Sequence, residues 1–487
     1  MTTEGTYPFV HGGVSVWCDR LIRKLPDIEF ALYAISPGVG KRPVWDVPDN
    51  VTSIHTIELA PSGGKEFGRH SAAVQTQFLD TLDLFLGSVL QNPIQPSHAF
   101  LSAIKELFDV SHSMPIDVGL HSEEAFDLLR DRWMRRDVGD RLDQMGPPSL
   151  YDVLEVTSSL ARFLTPLHVL PDADIIHTTA NGLSALPALA AKWTYDAPVL
   201  LTEHGVYLRE RFIEAHKAHG QDRVKGFHLL FFGRLNDATL QVADVISPVS
   251  DYNARWERQT GADPDKIVTI YNGVDPVLFP PIVGEPEIPT VSWVGRVDPL
   301  KDVVTLIRAF AVVNNAIPEA RLRLFGPIPE GNEEYHAGCV EAIEENGLQD
   351  VVVFEGLISP VVGAYEAGHV VALSSISEGF PFTVIEAMMS GRATVSTDVG
   401  GVSEAVADAG LLVPPRDPVA LGEALVRLLE NDAERRRLGR AARERALEFL
   451  TLDRMADLYR EVYAGMVPGA PPRIEKDNMP LVAGGSR

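Results

Sequence analysis

Two carboxylates, Glu378 and Glu386, stand at one expected strand-to-helix junction in Ser375-Ile-Ser-Glu-Gly-Phe-Pro-Phe-Thr-Val-Ile-Glu-Ala-Met-Met-Ser-Gly391. Val370 to Leu373 is a short apolar run that reads as a buried parallel strand. Pro381 followed by Phe382 to Ser390 reads as a helix opened by proline and closed by Gly391. Glu378 then falls on the loop with Gly379, Phe380 and Pro381, while Thr383 and Glu386 fall on the helix. Loop N–H groups backed by the positive end of a helix dipole favour a bound phosphate. Flanking carboxylates accept hydrogen bonds from sugar hydroxyls. An anion and a polyol are provided for together, as a sugar nucleotide requires. The bland alternative is a surface loop leading into an ordinary amphipathic helix with one early glutamate.

A second segment agrees with the first. Val291-Ser-Trp-Val-Gly-Arg-Val-Asp-Pro-Leu-Lys301 runs from an apolar strand through a Gly-Arg loop to a lysine and an expected helix. Gly295 lets the backbone approach a ligand, and Arg296 and Lys301 put two cations beside a helix N-terminus, as a diphosphate leaving group requires. Alone this pattern is more often a solvated turn. Combined with the two-glutamate segment it is specific.

Together the two segments resemble glycosyltransferase family 4, whose Glu-x7-Glu signature matches Glu378 and Glu386. The resemblance implies the GT-B fold: α/β, two Rossmann-like domains facing each other across a cleft. It also implies retaining transfer from a nucleoside diphosphate sugar. Thr3-Glu-Gly-Thr-Tyr-Pro-Phe-Val-His-Gly-Gly-Val-Ser-Val-Trp17, Leu201-Thr-Glu-His-Gly-Val-Tyr-Leu-Arg-Glu-Arg211 and Tyr271-Asn-Gly-Val-Asp275 resemble the Pel exopolysaccharide-type glycosyltransferases more narrowly, with residues 35 to 150 matching loosely. The C-terminal motif and Gly400-Gly401-Val-Ser-Glu404 are closer to the broad family. Pel-type chains also carry an apolar first strand ahead of the Thr-Glu-Gly-Thr segment, where only Met1 and Thr2 stand here. A late translation start is the expected reason, because losing a central parallel strand would leave neighbouring backbone groups unpaired.

The resemblance assigns roles. Glu378 orients the donor sugar and Glu386 holds the ribose. Arg296 and Lys301 neutralise the departing diphosphate without a metal or other cofactor, and Gly12 and Gly13, ahead of the apolar helix Val14 to Leu25, cradle the donor phosphate. His204 follows the strand Val199 to Leu201 and precedes Gly205, at a carboxyl strand end where open α/β sheets bind ligands. The resemblance gives it a polar contact with the donor sugar. Arg209 and Arg211 suit either an acceptor or phosphate contact or a solvated helix face. UDP-glucose is the default donor, a glycan or other hydroxyl compound the acceptor, and a membrane-bound polysaccharide synthesis complex a compatible partner. Competing readings are a nucleotide-sugar sensor or pseudoenzyme, a sugar-nucleotide epimerase, and a phosphorylase, for which no pyridoxal-phosphate lysine setting is recognisable.

These residues need two α/β units to position them. Phe30 to Ile35, Ile175 to Thr178, Val199 to Leu201, Val245 to Pro248 and Val268 to Tyr271 read as strands among helices. Residues 60–165 interrupt them with helical segments, Gln75 to Leu90, Ala99 to Phe108 and Glu123 to Arg136, a helical insertion on the acceptor side. Five prolines between Pro276 and Pro289 suggest a linker. A second alternation follows, with strands at Val291, Arg321 to Phe325, Val351 to Phe354, Val370, Thr394 and Leu411. The expected domains are 1–278 on the acceptor side and 279–445 for the nucleotide sugar. Helix 446–465 crosses back to the first domain, and a disordered tail occupies 466–487.

Composition narrows the class. The 487 residues carry 67 acidic and 43 basic side chains, a formal charge of -24, which argues against a general nucleic-acid surface. The basic run Arg130 to Arg136 reads as a solvated helix face. Cys18 and Cys339 have no metal-ligand or disulfide spacing, and a reducing, cytoplasmic compartment is expected. No apolar run approaches the roughly 18 residues of a membrane span. Asp172-Ala-Asp174 mimics a metal-binding Asp-x-Asp but precedes a strand, where a turn is the better reading. No Gly-x-Gly-x-x-Gly follows a first strand, which argues against a nicotinamide enzyme.

Overall fold

The computed structural model describes residues 1–36, 40–59, 70–90, 98–135, 146–217 and 222–467. They form two compact units, one of Met1–Pro248, Ala254–Val268 and the chain from Arg460, the other of Val249–Asn253 and Thr269–Tyr459. Each unit is built on a six-stranded parallel sheet.

In the first unit β1 (Thr2–Glu4), β2 (Phe30–Ile35), β3 (Val51–Ile57), β4 (Ile176–Thr178), β5 (Val199–Glu203) and β6 (Val245–Pro248) lie in the order β3-β2-β1-β4-β5-β6. The central β1 is three residues long. It pairs Thr2, Thr3 and Glu4 with Tyr33, Ala34 and Ile35, and Thr2 with Thr178. Continuous apolar runs such as Val199 to Leu201 are buried on both faces, as parallel strands under crossover helices must be. Val268 to Tyr271, expected as a strand, is not one: only Ile267 bridges Ile246 there, beyond the edge strand β6. The short β1 and the polar β3 carry little apolar signal, and neither was legible as a strand.

The insertion supplies helices Ala72–Val89, His98–Ser111, Glu123–Arg135 and Leu150–Phe163; residues 60–69, 91–97 and 136–145 fall outside the described residues. Phe78, Phe85, Phe100, Phe227 and Phe231 form its fully buried aromatic core, so the insertion shares one core with the long helix Asp222–Val242. Arg130, Arg132 and Arg135 pair with Asp127, Asp83 and Asp131 at the surface while Trp133 is buried, the arrangement of a solvated amphipathic face.

In the second unit β7 (Thr290–Val294), β8 (Arg321–Phe325), β9 (Val352–Gly356), β10 (Val370–Leu373), β11 (Ala393–Thr397) and β12 (Leu411–Val413) lie in the order β12-β11-β10-β7-β8-β9. Read from β7, this repeats the order of the first sheet. Both units are therefore Rossmann-like, with chain reversal between β1 and β4 in one and between β7 and β10 in the other. The proline-rich stretch 276–289, expected as a linker, packs on this unit. Ile282 N–H donates to the Ser390 carbonyl, Phe279 is buried, and Glu285 meets Arg435. The helices Asp432–Phe449 and Leu452–Met466 close the described chain, and residues 468–487 of the expected tail fall outside it. Among the described residues no helix is long and apolar enough to cross a membrane.

Candidate functional site

The second unit gathers its charged residues at the carboxyl ends of β7 and β10, the strands flanking its reversal. The β7 loop is shaped first by Gly326, at φ 136°, where a Cβ would lie 1.8 Å from the Gly295 carbonyl oxygen. At Gly295 itself a Cβ would press on the Trp293 ring at 2.9 Å, so that glycine is required by a protein neighbour. Asp298 Oδ1 accepts from the N–H groups of Leu300 and Lys301 at 2.9 and 3.2 Å, turning the chain. Asp302, in the left-handed region at φ 46°, caps the helix Val303–Ala316 through Thr305. Lys301 immediately precedes this cap, and Ser374 Oγ donates to its carbonyl at 2.7 Å.

From β10 comes the partner. Lys301 Nζ lies 2.5 Å from Glu378 Oε1, which also accepts from Ser375 Oγ at 2.5 Å. Both side chains of the ion pair are mostly buried, 21% and 10% exposed. Arg296 is half exposed and only loosely paired with Asp298 at 3.3 Å. The helix Phe382–Met389 follows with Pro381 at its cap and Gly391 at φ 75° beyond its end, as the sequence suggested. Thr383 Oγ1, in its first turn, is buried with no hydrogen-bond partner. Glu386 lies inside the unit, one oxygen accepting from Tyr365 Oη at 2.9 Å.

A neighbouring loop braces this one. Gly400, at φ 59°, packs so closely that a Cβ would lie 1.7 Å from the Glu378 carbonyl oxygen, and Gly401 N–H donates to the Gly379 carbonyl at 2.9 Å. The buried Asn272 amide donates to the Phe380 carbonyl at 2.9 Å, and Phe380 packs on Tyr271 at 5.1 Å. Glu404 accepts from the N–H groups of Asp251 and Tyr252, both at 2.7 Å. Sequence reasoning read Asn272 as a turn and missed Ser375 and Asp298. An amide followed by glycine gives no signal of a partner more than a hundred residues away.

In the first unit, Gly12 and Gly13 open the helix Gly13–Lys24, and a Cβ on either would meet no atom within 4 Å, leaving open space before the helix N-terminus. His204 follows β5. Trp17, fully buried on that same helix, packs edge-on against its ring at 4.6 Å. Burial pushes the His204 imidazole down to about 3, so it is neutral, and its Nε2 is buried without a partner. Behind Trp17, buried His177 joins Tyr463 Oη at 2.6 Å to Thr202 Oγ1 at 2.8 Å. Arg211, one of the two arginines left open between ligand contact and solvated face, is tied to Glu4 at 2.7 Å.

Among the described residues, no group of three or more His, Cys, Asp or Glu side chains is placed to hold a metal ion. Asp172 and Asp174 lie exposed before β4, at its amino end. Cys18 and Cys339 are buried free thiols. A cavity of about 860 Å³ lies at the amino ends of β7, β10 and β11. There Arg392, Arg435 and Arg443 are spent on the backbone carbonyls of Tyr365, Leu428 and Phe279, which is scaffolding.

Residues 1–265 match the family described as a domain of unknown function, DUF3492. Residues 288–431 match the family described as glycosyl transferases group 1, so the second unit is a group 1 glycosyltransferase domain. Among sequence relatives, D-inositol 3-phosphate glycosyltransferase of Saccharomonospora viridis is 34% identical over 227 residues, 42% of this chain and 52% of its own. The Corynebacterium glutamicum protein of the same name is 32% identical over 42% of this chain and 53% of its own. The chain thus spans about half the length of these relatives. Sucrose-phosphate synthase from Thermosynechococcus elongatus superposes with a TM-score of 0.61 at 20% identity, covering 95% of this chain and 99% of its own. Anabaena Alr3699/HepE in complex with UDP and glucose superposes at 0.58 and 14% identity, covering 95% and 98%. These likenesses place the chain in the GT-B fold.

Proposed function

We propose that this chain, which belongs to the family described as domain of unknown function DUF3492 and carries a group 1 glycosyltransferase domain after it, moves a hexose from a nucleoside diphosphate sugar to a hydroxyl acceptor. The reading takes UDP-glucose as the default donor, retention at the anomeric carbon, and a glycan as the acceptor, in company with a polysaccharide synthesis complex. The observation that carries it is Lys301 held 2.5 Å from Glu378 on the loop leading into the helix Phe382–Met389, with the Thr383 hydroxyl unpartnered in its first turn.

In this reading an incoming diphosphate takes Lys301 Nζ, Arg296, the loop N–H groups and Thr383 Oγ1. Released from Lys301, Glu378 accepts from sugar hydroxyls. The two cations neutralise charge developing on the departing phosphate, work that a metal performs elsewhere. Glu386, oriented by Tyr365, accepts from the ribose. Neutral His204 is assigned to the sugar, and Gly12 and Gly13 to the phosphate. Attack by the acceptor hydroxyl forms the new glycosidic bond as the sugar–phosphate bond breaks, and the proton passes to the leaving phosphate. UDP, bound in the Anabaena structure, supports the donor class.

The test is calorimetric binding of nucleoside diphosphates and their sugars, with and without EDTA, to the wild type and Lys301→Ala, followed by a sugar-release assay. Metal-independent binding of one nucleotide, lost in the variant and accompanied by slow sugar release, supports the transferase. Tight binding without turnover points to the sensor, and no binding removes the site assignment.

A further inference from the structure

The first unit holds a second built pocket, of about 330 Å³, lined by Glu4, Phe163, Leu183, Arg211, His228 and Phe232 among others. It opens where the first sheet reverses: Glu4 ends β1 and Leu183 follows β4, the place where open α/β sheets take ligands. Its polar floor is fixed by atoms far apart in sequence. Glu4 Oε2 accepts from Leu183 N–H at 2.7 Å, and Glu4 Oε1 from Arg211 Nη2 at 2.7 Å. Gly182 makes this possible, since a Cβ there would lie 2.4 Å from Tyr207 Oη and 2.5 Å from Glu4 Oε2. Its walls are aromatic, with Phe163 and Phe232 at 5.2 Å and the Arg211 guanidinium 4.7 Å over Phe232. His228 Nε2 is buried there with no hydrogen-bond partner.

We propose that this pocket binds one neutral pyranose unit of the acceptor, an inference that rests on the transferase reading and gives it a substrate class. The charges decide against an anion: Glu4 and Arg211 cancel, Lys225 pairs with Asp222 at 3.4 Å, and burial keeps His228 neutral, pushed down to about 4. Aromatic faces suit the C–H side of a sugar ring, whereas a carboxylate, a guanidinium and an orphan imidazole suit its hydroxyls. The volume is at the low end of the ~300–1,000 Å³ typical of ligand pockets. That suits one ring and not a glycan chain.

The experiment is saturation-transfer NMR on the whole chain with methyl glucopyranosides, maltose, cellobiose and D-inositol 3-phosphate, and a separate titration with UDP. Neutral pyranosides should bind the wild type and lose at least tenfold in affinity in Ala215→Trp, which fills the cavity, and in Glu4→Gln. Thermal unfolding midpoints report whether each variant folds. Ala215 lies on a helix at the cavity wall, so Ala215→Trp keeps the test available if Glu4→Gln fails to fold. Binding of D-inositol 3-phosphate alone, pyranoside binding that survives Ala215→Trp in folded protein, or no pyranoside binding to the wild type overturns the proposal. The UDP titration reads the donor site independently, so loss of one reading is distinguishable from loss of the other.

Discussion

Replacing Glu378 with glutamine should tighten the binding of a bare nucleoside diphosphate while slowing sugar transfer. In the free protein Glu378 holds Lys301 at 2.5 Å with both side chains mostly buried, and a diphosphate must break that pair to use the lysine. A hydrogen bond to a charged group contributes ~1.5–3 kcal/mol, against ~0.5–1.5 kcal/mol for a neutral amide partner. Losing the carboxylate therefore lowers the cost of releasing Lys301 by about 1 kcal/mol. It also removes a negative charge beside the incoming phosphate. At ~5 Å and an effective dielectric of ~20 that repulsion is ~3 kcal/mol before screening. Screening and side-chain rearrangement absorb most of the second effect, and about tenfold tighter binding, 1.4 kcal/mol, is the expected net result. Sugar transfer should fall ~100-fold or more, as when a preorganised transition-state contact is removed. Calorimetry with UDP on the wild type, Glu378→Gln and Lys301→Ala measures the first effect, and a coupled release assay the second. Unchanged or weaker UDP affinity in folded Glu378→Gln would refute the idea that the pair competes with phosphate.

Gly400→Ala should perturb the same loop from behind: a left-handed φ costs ~1–2 kcal/mol for a Cβ residue, and the clash with the Glu378 carbonyl displaces the loop, so nucleotide affinity should drop at least tenfold by calorimetry. Buried Glu203 and Glu257 in the first unit both have raised pKa values, from burial first; Glu257 is pushed up to about 8. Their folded pKa values exceed the unfolded ones, so this stabilisation is complete below about pH 4.5 and is lost as pH rises through about 8. Thermal midpoints from pH 5 to 9 should decline, and Glu257→Gln should flatten that decline. Glu285 titrates in the opposite sense, lowered to about 2 first by its hydrogen bond to Arg435, so its contribution is present above the usual carboxylate pKa and is lost as pH falls toward 2. Arg435→Met leaves the mostly buried Glu285 with Arg436 alone, at 3.3 Å, and unpairs the Leu428 and Leu429 carbonyls from Arg435, and denaturant titration should show a loss of ~3 kcal/mol.

The second unit was the more legible of the two. Val370–Leu373 is a continuous apolar run, Arg321–Phe325 alternates charged with apolar residues, and Pro381 and Gly391 bound a helix by local rules that act within a few residues. The first unit was read less well. Thr2–Glu4 is too short and polar to announce a central strand, and Val268 to Tyr271 has strand composition but meets β6 only at its start, where Ile267 bridges Ile246 and the Val268 N–H donates to the Ile246 carbonyl at 2.9 Å. The helix Asp222–Val242 mixes Gly, Asp and Arg with its aromatics, and went unseen until the core it completes was visible.

What the amino-acid order determined by itself is local: the helix start after Pro381, the Gly-Arg loop with its lysine, and the two glutamates eight positions apart. These depend on backbone torsions and short-range spacing, which any chain segment carries with it. Folding alone decided the pairings. Lys301 meets Glu378, Gly400 backs the Glu378 carbonyl, Trp17 packs on His204, and Glu4 locks to Arg211 more than two hundred residues away. A hydrogen bond or ion pair between distant residues is set by which strands become neighbours in a sheet, and no local pattern encodes that choice.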